Sequence, residues 1–160
     1  MAAAARLLTR LMSDPSFLNA QVLPHLELTS DAGPYVAHRY DVPGAFKVEI
    51  FVWPPHAVSD IHDHSSWGAF GCVLGSLQEE RYRRLDDSTR LNYAHLKKLW
   101  QRVWRREDGV STLLPFDGGI HRVSNPGDQT AISIHIYGPA GAVDGRDYDP
   151  SRNYVCDRLD

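Results

Sequence analysis

Three histidines, His62, His64 and His121, are the residues whose type and spacing could hold a metal ion. Neutral imidazole is a strong nitrogen donor near physiological pH and the commonest protein ligand for metals. In an extended strand, residues two apart share a face, so His62 and His64 aim at one point while Asp63 turns away. A bare pair of this kind is weak evidence, because strand histidines also serve as ordinary hydrogen-bonding groups. His121 adds weight, since it follows a Gly-rich turn at residues 117–119 and precedes a β-run and Asn125. A second set, Ser133, His135 and Tyr137, alternates along one apolar run and so shares a face. It can form one hydrogen-bonded row, in which His135 orients the Tyr137 O–H and buffers its proton. Without a metal beside it, the same row reads as a core strand whose polar groups satisfy one another.

The elements that must position these groups are mostly strands. Residues 2–12 and roughly 15–28 read as two short helices, with Ser13 and Asp14 before Pro15 giving a stop and a new cap. Strand-like runs follow at residues 34–40, 46–53, 61–74, 77–84, 96–104, 110–114 and 131–137. Groups rich in Gly, Pro, Asp and Asn separate them. Many short strands so punctuated predict a mainly β fold, a sandwich, jelly roll or barrel. The charged runs Glu80 to Arg84 and Gln101 to Arg106 read as strands with a solvated outer face.

At 160 residues the chain fits one domain with one core. The expected division is a helical N-terminal segment over residues 1–30 and a barrel with a C-terminal extension over about 34–160. Hydrophobic residues make up 42% and charged residues 23%, as in an ordinary globular protein, and the net charge of −3 argues against a nucleic-acid partner. Two cysteines far apart, Cys72 and Cys156, give no disulfide framework, which makes a reducing, cytoplasmic setting the expectation. The opening residues are interrupted by Arg6 and Arg10 and read as an amphipathic helix rather than a targeting peptide. No apolar stretch reaches the ~18 residues of a membrane span.

The HisAspHis motif with Gly75 after it, then Gly118, His121 and Asn125, resembles the two-part signature of the cupin superfamily. That resemblance implies a double-stranded β-helix, a jelly-roll barrel. Where many cupins add a glutamate ligand, this chain has Ala69, which leaves one face of an octahedral ion open. The stretches IleHisAspHisSerSerTrpGly, ValLeuGlySerLeuGlnGlu, GlyIleHisArgValSerAsn and AlaIleSerIleHisIleTyrGlyPro are more specific. Over residues 46–139 the chain resembles the thiol dioxygenases, cysteine dioxygenase and the 3-mercaptopropionate dioxygenases.

The resemblance implies one Fe(II) per chain on His62, His64 and His121, and a catalytic row of Ser133, His135 and Tyr137. It implies oxidation of a small thiol to its sulfinate with O2. An early-strand arginine holds the substrate carboxylate in that family, which points to Arg39, although the spacing also admits Ala37 or His38. Trp67 is expected to line the pocket and Trp53 to sit in the core. Ala69 falls where some relatives carry a cysteine that cross-links to the tyrosine. By parity Cys72 points to the face opposite Ala69 and reads as a small buried strand residue. Arg122 is expected in a structural ion pair, and His56 on a solvated loop.

Two other functions remain open on the sequence. One is a cupin oxygenase, lyase or isomerase acting on a ligand other than a thiol. The other is a non-catalytic cupin that binds a small ligand. The partners expected are a small-molecule thiol and O2, with neither nucleic acid nor membrane, and oligomeric state carries no signal.

Overall fold

The computed structural model describes residues 1–25, 33–139 and 145–157. Among them, eleven strands form two antiparallel sheets. They are β1 (Tyr35–Val42), β2 (Phe46–Trp53), β3 (Ile61–His62), β4 (Gly68–Leu74), β5 (Leu77–Arg84), β6 (Leu96–Trp104), β7 (Ser111–Leu113), β8 (His121–Ser124), β9 (Ala131–Tyr137), β10 (Arg146–Asp149) and β11 (Tyr154–Asp157). One sheet has the order β1-β2-β9-β4-β7 and the other β11-β10-β3-β8-β5-β6. The mainly β fold is the one expected from the many short, punctuated runs, and the two sheets are those of the jelly roll that the cupin resemblance implied.

Alternation in the central strands decides what faces where. In β2, Phe46, Val48, Ile50 and Val52 face out, and Lys47, Glu49, Phe51 and Trp53 face into the space between the sheets. In β9, Ile132, Ile134 and Ile136 face out while Ser133, His135 and Tyr137 face in. The outward row is apolar because helix α1 (Ala2–Ser13) covers it with Ala4, Leu8 and Met12. Both faces of β9 are therefore buried, and its polar groups must be satisfied inside.

The second predicted helix is a composite among the described residues: a short α-turn Pro15–Phe17, a π-turn Leu18–Val22 and a 3₁₀ turn Leu23–His25. Asp14 caps it, its carboxylate accepting from the N–H groups of Ser16 and Phe17. Residues 26–28 of that expectation lie outside the described residues. The single run expected over residues 61–74 divides into β3 and β4, with the segment carrying His64 between them. The C-terminal extension is more than an appendage, because β10 and β11 complete the second sheet at the edge of β3.

Two smaller clusters fix the rest. Trp53, Phe70, Cys72, Leu77, Trp104, Val123 and Ala131 fill the interior between the sheets. Ile61, Ala94, Ile120, Tyr148 and Val155 pack against the second sheet.

Candidate metal centre

His62 closes β3 and stands opposite His121, the first residue of β8, in antiparallel register. His64 lies just beyond β3, and its carbonyl accepts from Phe116 N–H at 2.8 Å. That bond ties the segment after β3 to the turn Phe116–Gly118 that delivers His121. The glycine signal before His121 has a steric cause, since a Cβ at Gly119 would lie 2.1 Å from the Leu114 carbonyl oxygen. The three histidines offer ligand atoms that all lie within 4.8 Å of one another. His64 Nε2 and His121 Nε2 are 3.3 Å apart, close to the ~3 Å spacing of two imidazole nitrogens each about 2.1 Å from a shared ion.

Their outer nitrogens decide whether the set suits a metal. His121 Nδ1 donates to Glu79 Oε1 at 3.1 Å, and His62 Nδ1 donates to the Asp60 carbonyl at 2.9 Å. Each bond commits the Nδ1 proton and leaves Nε2 as a lone-pair donor aimed at the centre, the usual support of a metal-binding histidine. Glu79 is itself fully buried. Its carboxylate also accepts from Arg81 Nε at 2.6 Å, Ser111 Oγ at 2.7 Å and Trp104 Nε1 at 3.0 Å. The donor set therefore fits a divalent ion that accepts imidazole.

Asp63 turns away from this centre, as strand parity requires, and is buried behind it. It accepts from Arg146 Nε at 2.9 Å, from Arg146 Nη2 at 2.6 Å and from Tyr148 Oη at 2.7 Å. This latches β10 to the HisAspHis segment. Burial first, then the hydrogen bond to Asp63, pushes the Tyr148 phenol well above its usual range.

Ser133, His135 and Tyr137 form the expected row. Ser133 Oγ lies 2.8 Å from His135 Nε2, and His135 Nδ1 lies 2.9 Å from Tyr137 Oη. Trp53 extends it, its indole N–H donating to Ser133 Oγ at 2.8 Å. Indole is a donor only, so Ser133 Oγ accepts from Trp53; in the tautomer in which Ser133 donates its own proton to His135 Nε2, Nδ1–H donates to Tyr137. The His135 ring stacks on Phe70 at 5.1 Å and 16°. Burial, with a smaller push from His62, lowers its pKa to about 3, so the ring is neutral. The Tyr137 ring lies 4.7 Å from the His64 ring, which brings the row against the histidine cluster.

A cavity of about 400 Å³ opens onto both sets. Arg39, Lys47 and Glu49 line it from β1 and β2, and Asp60 and Asp147 line it from the side of the second sheet. Arg39 reaches this wall because Ala37 is an extra residue in β1, shifting the register between Val36 and His38. Its Nε and Nη2 both lie 2.7 Å from Glu49 Oε1. Ala37 packs outward, and His38 pairs with outward-facing Ile50, so neither alternative at this position faces the cavity.

Two sequence expectations need correction. Trp67 is not among the residues lining this cavity; it packs on the outer cluster and lies against Gly138, where a Cβ would come 2.5 Å from its Nε1. Ala69 is also outward-facing, in the outer cluster with Ile50 and Ile134. The position facing the site is Gly68, paired with Tyr137, where a Cβ would meet the tyrosine ring at 2.9 Å. Neither inward residue nearby, Gly68 or Phe70, is a carboxylate or a thiol. Cys72 does face opposite to Ala69, in the interior, where burial raises its pKa to about 12.

Arg122 pairs with Glu80, its Nε at 2.8 Å from Oε2, and His56 meets Asp128 at 3.1 Å in an exposed pair. Asn125, from the second motif, is structural: its amide donates to the carbonyls of Trp53, Pro54 and Gln129. Glu79 had no role assigned from the sequence, although it stands within one of the stretches that carry the resemblance.

Two antiparallel sheets closing over three inward histidines define a cupin with a candidate metal centre. A double-stranded β-helix protein from Klebsiella pneumoniae is similar at 11% identity, over 86% of this chain and 95% of that one, with a TM-score of 0.50. TT1209 from Thermus thermophilus is similar at 13% identity over 76% and 97%, with a TM-score of 0.54. An oxalate oxidase in complex with the substrate analogue glycolate matches at 18% identity and a TM-score of 0.53, over 69% of this chain and 53% of that one. At these identities the likeness is one of fold. The family is given by a family model, cysteine dioxygenase type I, which matches residues 29–149; this chain belongs to that family.

Proposed function

We propose that this protein is an iron-dependent dioxygenase that converts a small thiol to its sulfinate. The observation that carries the reading is the pairing of a three-histidine centre, where inward Gly68 and Phe70 of β4 offer it no carboxylate, with the Ser133-His135-Tyr137 row at its edge. Membership of the cysteine dioxygenase type I family supports the same reaction. His62, His64 and His121 would hold the ion. Ferrous iron there would supply the redox chemistry that lets O2 react with a thiolate, as three imidazoles leave room for ligands from outside.

The net change is RSH + O2 → RSO2⁻ + H⁺. The S–H bond breaks, two S–O bonds form, sulfur loses four electrons and both oxygen atoms gain them. With the His135 proton on Nδ1, Tyr137 sets the proton inventory beside the sulfur, because it accepts from His135 and holds its own O–H as a donor. His135 stays neutral and keeps that geometry at physiological pH. Phe51, Trp53, Val58 and Val123 give the cavity apolar walls that limit water around the reacting groups. An ion held there would also favour the thiolate of a thiol whose free pKa is near 8.5. The two cysteines are free, which suits a reducing cytoplasm.

Protein loaded anaerobically with Fe(II) is expected to hold one iron per chain and, given cysteine, cysteamine or 3-mercaptopropionate, to take up one O2 per sulfinate formed. Full iron loading without uptake on any of these thiols would sink the reading. Turnover without oxygen would favour a different cupin chemistry. Tyr137→Phe is expected to keep its iron and lose about 10²-fold in kcat, a typical loss for a missing proton-transfer group.

A further inference from the structure

We propose that Lys47 is the residue that receives an anionic group on the substrate, and that this pocket selects thiols carrying a carboxylate on a flexible tether. The inference rests on the thiol-oxidising reading above and deepens it.

Lys47 is on the inward face of β2, in register with Tyr137 of β9. Its Nζ lies 5.4 Å from the centroid of the Tyr137 ring, which in turn lies 4.7 Å from the His64 ring. The ammonium, the tyrosine and the histidine cluster thus follow one another from the cavity wall to its centre. Arg39 stands farther out, its side chain 53% exposed against 24% for Lys47.

The two cations share one carboxylate, and they share it unequally. Arg39 puts Nε and Nη2 at 2.7 Å from Glu49 Oε1, whereas Lys47 Nζ stands 3.5 Å from the same atom. One negative charge against two positive ones leaves this wall with a net positive charge. Drawing Arg39 away would take both 2.7 Å contacts from the buried Glu49 carboxylate and leave it the longer one, 3.5 Å from Lys47. Drawing Lys47 away leaves the Arg39–Glu49 pair intact. An incoming anion therefore recruits Lys47 at lower cost. On the side of the second sheet, Asp60 and Asp147 repel an anion and direct it to the β2 wall.

The identity of the cation shapes specificity. A guanidinium fork fixes a carboxylate in a planar, bidentate geometry, while an ammonium on a four-carbon stem is a point charge that follows its partner. A lysine anchor thus accepts carboxylates on tethers of more than one length.

Anaerobic calorimetry on the Fe(II)-loaded protein tests this with 3-mercaptopropionate and its neutral analogue 2-mercaptoethanol. Lys47→Met is expected to weaken 3-mercaptopropionate about tenfold or more, the loss of one charge-assisted contact, and to leave 2-mercaptoethanol within about twofold. Lys47→Arg is expected to restore most of the affinity for 3-mercaptopropionate while narrowing the range of tether lengths. Lys47→Gln, which keeps a polar end, repeats the measurement should the methionine variant fold poorly. Equal effects on both thiols, no effect on either, or a loss confined to Arg39→Met would overturn the role of Lys47. Wild-type protein that is fully loaded with iron and binds neither thiol would instead overturn the thiol reading itself.

Discussion

The proton on His121 Nδ1 is committed to Glu79, and Glu79 is held in turn by Arg81, Ser111 and Trp104. Because this chain of contacts fixes the ring and raises the basicity of Nε2, Glu79→Gln is expected to weaken iron binding by about 10–100-fold, as read by competition with a chelator. His135 gives a prediction of opposite character. Folded, it stays neutral down to about pH 3, whereas its ordinary pKa is 6.5. Between these values unfolding takes up a proton, so its contribution to stability is fully present above pH 6.5 and is lost as pH falls toward 3. Urea midpoints at pH 5 and pH 7.5 should therefore differ more for wild type than for His135→Gln. The row containing His135 was legible in the sequence because its three members lie on one strand, where parity alone aligns them. Glu79 was not, since its contact with His121 joins β5 to β8 across 42 residues and an isolated strand glutamate looks like a solvated one. Trp67 misled for a related reason: nearness in sequence to His64 says nothing about which side of the sheet an indole packs on.

At the scale of elements, the alternation in β2 and β9 does most of the positioning, and it needs helix α1 on the far side. Leu8 is fully buried between that helix and the outward isoleucines. Leu8→Ala is expected to cost about 2–5 kcal/mol in urea unfolding, while iron affinity of the folded protein is unchanged, because Leu8 lies on the opposite face of the sheet from the histidines. The composition of β2 and β9, apolar on alternate positions, made these strands readable beforehand. The four-residue strands β10 and β11 are too short to carry such a pattern; β10 is held in the sheet by the buried Asp63–Arg146 latch, and β11 pairs with β10. Ala69 shows the limit of counting residues from a motif. The turn after His64 puts Gly68 rather than Ala69 opposite Tyr137, and only the strand pairing reveals it.

For the whole molecule, a mainly β fold was readable from the punctuation of the sequence, but the sheet order was not. Pairings such as β2 with β9 and β4 with β9 join distant segments, and periodicity within a strand does not name its neighbour. The metal would act at this scale too, since its ligands come from β3, the segment after it and β8. An ion bound only by the folded chain stabilises it by about 2.7 kcal/mol at a hundredfold excess over Kd. Melting is thus expected at a higher temperature with Fe(II) under anaerobic conditions than after chelation, and His121→Ala should abolish the difference. No helix among the described residues is long and apolar enough to cross a membrane.

The extra residue in β1 bears on how such a pocket can change over evolutionary time. Sliding it two positions along, from Ala37 to Arg39, would leave Val36 opposite Phe51 and Tyr40 opposite Val48, as now, but set His38 opposite Glu49 in place of Arg39. A weakly basic imidazole would then replace a permanent cation, with no substitution anywhere in the cavity. Migration of this one irregularity is therefore a route by which descendants of a common ancestor could diverge in substrate while every histidine ligand stays in place.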